Sequence, residues 1–151
     1  ADDSVLELTK ARLPWLVLAL FGGFISVHVL GIFEPIMKLH PELFFFTPLI
    51  AAMAGNVGVQ SSAIIVQGLA NNTIIGPIVE RLLKELSLSL LNGVILSAIL
   101  LLGSYFLLGY EIHVGYTVAI ALLSVIIMAS LIGTFIPIIL NKYGHTCLVF
   151  K

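Results

Sequence analysis

Two carboxamides, two glycines and two serines interrupt an apolar run from Leu43 to Val66, in the stretch MAGNVGVQSS at residues 53 to 62. A polar group left unpaired in hydrocarbon costs several kcal/mol, so these side chains either bond to neighbouring helices or face water. Residues three, four and seven apart share one face of a helix. Asn56, Gln60 and Gln67 follow that spacing, with Ala63 between the last two. Ala51, Ala54, Gly55, Gly58 and Ser62 form an adjoining stripe of small residues. Carboxamide oxygens are neutral acceptors, suited to the water shell of a small cation such as Mg²⁺, which dehydrates reluctantly and keeps several waters. Loose holding permits transit, because conduction requires a site that an ion can also leave. The same stripes also suit a tight helix junction, with small residues in contact and amides bonded across it. Asn56 and Gln60 are thus candidate ion contacts, and Gly55, Gly58 and Ser61 are candidate pore or packing residues.

The elements that must position these residues are membrane spans. The chain has 151 residues, 60% hydrophobic and 10% charged, with a mean hydropathy of +1.16. Soluble domains carry roughly 25% charged residues, so the composition is that of an integral membrane protein. A span needs about 20 mostly apolar residues. Four segments qualify: 13–33, opened by Pro14 and Trp15; 43–67, after the Pro41 break; 86–110; and 114–140. The fold expected is therefore all-α and polytopic, with a transmembrane domain over 13–144, a cytoplasmic linker end at 1–12 and a tail at 145–151. Polar residues before the first span give no secretory leader pattern.

Four spans put both termini and the 69–85 connection on one side. Lys10, Arg12, Arg81, Lys84, Lys142 and Lys151 lie there, six of the seven basic residues, against Lys38 opposite. The positive-inside rule then makes both termini cytoplasmic in a multi-pass cell-membrane protein. In the connection, Glu80 with Lys84 and Arg81 with Glu85 are four apart and read as solvated pairs on a helix surface. The alternative gives Glu85 a place at a cytoplasmic cation entrance.

Other polar residues carry weaker signals. Glu34 follows the first span beside Pro35, where it either ends the helix at the outer interface or serves as an acidic cation ligand. His28 reads as a hydrogen-bonded packing residue. His40, Glu42, Glu111 and His113 form an outer rim. Asn92, Ser97, Ser104, Ser124, Ser130 and Thr134 suit bonds between helices or to a helix's own backbone. The lone Cys147 has no internal disulfide partner. A net charge of -1 gives no basic footprint for nucleic acid. No arrangement of nucleophile, base and orienting group supports an enzyme.

The segment PLIAAMAGNVGVQSSAIIVQGLA, residues 48 to 70, resembles the membrane domain of the MgtE family of magnesium transporters. ARLPWL at 11 to 16, FEP at 33 to 35, KEL at 84 to 86 and SLIGTFIPIILNKYG at 130 to 144 add weaker matches in the same order. The resemblance implies Mg²⁺ as substrate and a homodimer with a pore on its two-fold axis. It further implies a second helix, carrying Asn56 and Gln60, along the path, and an ion-facing role for Glu34. Cytoplasmic regulatory domains would precede the membrane part, with Asp2 to Lys10 ending their linker helix. Gln67 stands where the family often has arginine. After NKYG the family continues with aspartate, proline, alanine and a fifth span, whereas this chain reads HTCLVFK, with His145 or Thr146 at the aspartate position. A different class stays open from the same residues: a non-conducting membrane scaffold, in which the polar stripe only cements helices.

Overall fold

In the computed structural model, residues 4–71 and 76–143 are described. The expectations for residues 145–151, including His145, Thr146 and Cys147, fall outside them. The described residues form α1 (Val5–Ile32), α2 (Glu34–Leu39), α3 (Glu42–Ala70), α4 (Ile78–Phe106) and α5 (Ile112–Tyr143). Helices α1, α3, α4 and α5 are long and apolar enough to cross a membrane. The chain divides into two units, residues 1–41 and 42–151.

The first unit holds α1 and α2. Ser4 caps α1, its hydroxyl accepting from the Glu7 amide at 3.3 Å, so the helix starts at Val5 and not at the first apolar residue of the span. A side-chain oxygen at that position satisfies a first-turn amide that the helix cannot. Pro14 lies inside α1. The helix stops at Phe33, and α2 restarts at once with Pro35 in its first turn. Proline suits that position because its missing N–H would have no partner there.

In the second unit, α5 is the common partner. Helices α3 and α4 both pack along it and make little contact with each other. Its buried residues include Val114, Val118, Leu122, Ile126, Ser130, Thr134 and Ile138, which run the length of the helix at spacings of four, each beside the next in a stripe that winds slowly round the helix. At the end where α5 begins, Phe46 of α3, Val114 and Val118 form an apolar cluster, with Tyr110 set edge-on to Phe46 at 5.5 Å. Gly109, at φ +68°, makes the turn between α4 and α5 in a conformation that glycine adopts without a steric penalty.

Small residues set the helix spacing. A Cβ on Gly133 of α5 would lie 2.6 Å from the Gly58 carbonyl oxygen of α3. The Ser62 hydroxyl donates to the Gly133 carbonyl at 2.9 Å across the same contact. On α4, a Cβ on Gly93 would lie 2.7 Å from Leu123. Lipid supplies no hydrophobic drive between helices, so such close backbone approach and its dispersion gain carry the association.

Candidate functional site

Because α3 and α4 lean on α5 and not on each other, a groove opens between them. It measures 490 Å³ and has Ile126 and Ser130 of α5 among its lining residues. From α3 it takes Asn56, Gln60 and Ser61, and from α4 Glu85, Ser89 and Asn92. Asn56 and Gln60 are exposed, so the carboxamides meet open space. Glu85, Ser89 and Asn92 follow the spacing of four and seven that puts them on one side of α4.

Glu85 joins the three helices. Its Oε1 accepts from the Ser61 hydroxyl of α3 at 2.7 Å and the Ser130 hydroxyl of α5 at 2.7 Å. The two hydroxyl oxygens are 3.4 Å apart. Glu85 is 7% exposed. Hydrogen bonds to a charged acceptor are short and about twice as strong as neutral ones, which offsets part of the cost of taking a carboxylate out of water. Both bonds fall on Oε1; Oε2 takes none among the described residues and is not sealed away from the groove. The expectation of a solvated Arg81–Glu85 pair on the helix surface is therefore corrected: Glu85 turns inward. Its former companion pair is as expected, Lys84 lying 3.1 Å from Glu80 with both side chains largely exposed.

The small-residue stripe separates from the carboxamides. Gly58 lies against α5, as its contact with Gly133 requires. Gly55 has nothing within 4 Å of a built Cβ. Both border a shallow surface shared with Ala129, Ile132 and Gly133, distinct from the groove. Ser61, 4% exposed, points into the polar junction with Glu85. Gln67 is exposed and does not line the groove. Glu34 belongs to the first unit, where its carboxylate lies 2.7 Å from Lys38 on the same short helix.

Ser104 and Ser124 bond to carbonyls of their own helices, at 2.8 and 2.9 Å, as expected for hydroxyls in apolar spans, whereas the Ser97 and Thr134 hydroxyls are buried with no partner among the described residues. Sequence reasoning gave Glu85 only the alternative of a cytoplasmic cation entrance and did not set it at the centre of the site. The signal was present in the alignment of Glu85 with Ser89 and Asn92 on one helical face, set against a basic partner that claimed the carboxylate first.

Chemically, the groove offers the amide oxygens of Asn56 and Gln60 on one wall, and the single carboxylate of Glu85 with the Asn92 amide on the other. Among the described residues there is no group of three or more His, Cys, Asp or Glu able to hold a metal ion. Such a donor set suits an ion that keeps its water shell. At about 30 Å³ per water, an octahedral ion with six waters takes up roughly 180 Å³, and the groove's 490 Å³ accommodates it.

The fold and groove define a polytopic helical membrane protein with a polar groove between two of its spans. Residues 47–145 match the family model for MgtE, described as a divalent cation transporter. The chain is 36% identical over 142 residues to the magnesium transporter MgtE of Bacillus subtilis, covering 93% of this chain and 31% of that protein. It is 30% identical over 145 residues to the magnesium transporter MgtE of Thermus thermophilus, covering 95% and 32%. The Enterococcus faecalis magnesium transporter MgtE is 29% identical over 146 residues, with coverage of 95% and 32%. This chain belongs to the MgtE family, whose members are transporters and not enzymes. It spans about a third of the length of these relatives.

Proposed function

We propose that this chain forms part of a path for divalent cations across the cell membrane, with Mg²⁺ as substrate. The observation that carries the reading is the exposure of Asn56 and Gln60 on the groove wall opposite Glu85. The amide oxygens accept hydrogen bonds from the ion's waters, and the carboxylate supplies the charge that draws the cation in. With a single acid in the groove, binding stays weak enough for release. Ser61 and Ser130 hold the carboxylate in place, and Gly133 lets α5 sit close to α3 at Gly58. Gly55 leaves its side of α3 open to a second copy in a homodimer, with the groove near the two-fold axis. Glu34, at the start of α2, is an outer acidic contact that Lys38 holds in readiness. Both termini are cytoplasmic, and residues 13–144 form the membrane domain.

The close packing at Gly58 and Gly133 favours the helix-cementing role for the small-residue stripe alone. Purified protein in liposomes, loaded with a Mg²⁺-sensitive dye, tests the transport reading. Asn56→Leu with Gln60→Leu is expected to abolish uptake while circular dichroism stays helical. Unchanged uptake in a folded double variant would leave the chain as a scaffold.

A further inference from the structure

A second concave site lies at the end of the second unit where α4 begins and α5 finishes. It measures 340 Å³ and is lined by Arg81, Lys84 and Lys142, with Glu80, Asn141 and Gly76 beside them. Among the described lining residues three cations face one acid, and that acid already pairs with Lys84 at 3.1 Å. The Arg81 Nε–H is buried and has no hydrogen-bond partner among the described residues. An unpaired buried donor is unfavourable, and the two Nη groups of Arg81, which are not sealed, carry the donors that a ligand in the pocket can reach. The first turn of α4 reinforces the demand. Pro77 stands at its N-cap and no side chain caps it, so the Ile78 and Val79 amides lie at the positive end of the helix dipole without a capping side chain, while the Glu80 amide bonds to the Pro77 carbonyl.

The position fits a phosphate. Glu80, Arg81, Lys84 and Lys142 stand at the ends of membrane-length helices, where the hydrocarbon gives way to headgroups. Basic pockets between spanning helices at that level hold anionic headgroups. Arginine adds a planar fork that matches phosphate oxygens.

We propose that this pocket is a binding site for a phosphate group, with Arg81 as the central ligand and Lys142 as the second cation. The phosphate comes either from the headgroup of an anionic phospholipid in the surrounding leaflet or from solution as free phosphate. This site is separate from the α3–α4 groove and does not depend on ion passage there.

Native mass spectrometry of the full chain in neutral detergent tests it, by titration with phosphatidylglycerol, phosphatidylcholine or inorganic phosphate. Phosphatidylglycerol is expected to bind more tightly than phosphatidylcholine. Arg81→Gln and Lys142→Gln should each weaken it by about fivefold, the equivalent of about 1 kcal/mol per charge. Glu80→Gln removes the one acid and should strengthen binding, a gain that a misfolded variant does not produce. Should inorganic phosphate bind with the same dependence on these residues while phosphatidylglycerol shows no preference, the source is soluble phosphate and the site stands. Affinities for both probes that ignore all three substitutions in helical protein would overturn the assignment.

Discussion

Gly133→Ala is the most exacting test of how α3 is held against the bundle. The added Cβ would sit 2.6 Å from the Gly58 carbonyl oxygen and 3.2 Å from both the Gly58 Cα and the Ser61 Cβ. Two of those atoms are backbone, which no rotamer change moves aside. Ordinary contact begins at 3.4 Å, so the helices must part by about 0.8 Å at this level, a case of overpacking that costs about 1–3 kcal/mol. Replacing a helical glycine by alanine also gains roughly 0.5–1 kcal/mol of intrinsic helix stability. Gly55→Ala supplies the same gain with nothing within 4 Å, so comparison of the two variants cancels the intrinsic term. The difference between them is then about 1–3 kcal/mol, or roughly 5- to 150-fold in the unfolding equilibrium. Unfolding in mixed micelles by increasing sodium dodecyl sulfate measures it. Gly58→Ala, whose Cβ would rest 3.7 Å from the Ala129 carbonyl oxygen, should behave like Gly55→Ala. A Gly133→Ala protein as stable as Gly55→Ala, to within about 0.5 kcal/mol, the scale of neutral surface changes, would refute the close approach of α3 and α5.

Three further outcomes follow from the site. In a Cys147→Ser background, Gln60→Cys should react quickly with a water-soluble thiol reagent and Ser61→Cys slowly, since Gln60 is exposed and Ser61 is 4% exposed; equal rates would argue against the groove. Glu85→Leu removes the shared acceptor of two buried hydroxyls, which keep only each other at 3.4 Å, a loss of about 1–3 kcal/mol, whereas Glu85→Gln keeps an acceptor oxygen, so melting should separate the two while dye-reported Mg²⁺ uptake falls in both. Glu34→Gln should change micelle stability by less than about 1 kcal/mol, because its pair with Lys38 is exposed. Any loss of uptake in that variant then reports on ion contact and not on folding.

Hydropathy made the four long helices legible, since twenty apolar residues in succession have few other uses. Their true lengths were less so. Ser4 and Pro77 start α1 and α4 at Val5 and Ile78, ahead of the apolar windows at Leu13 and Leu86, because a helix continues into the headgroup layer as long as its backbone is capped or solvated. The carboxamide face of α3 was readable from spacing alone. Its separation from the glycine face was not, because spacing names neighbours on a helix and not the partner each side meets. Glu85 shows the same limit in sharper form. A four-residue interval to Arg81 predicts a surface pair, yet the two serine hydroxyls offered by α3 and α5 exist as partners only once the bundle is assembled.

With α5 serving as the spine to which two leaves are bound, a change along it propagates to both, whereas a change on either leaf stops at its own hinge. Paired substitutions on α3 and α4 well away from Glu85 should therefore add, as remote sites do, while pairs that include α5 should depart from additivity.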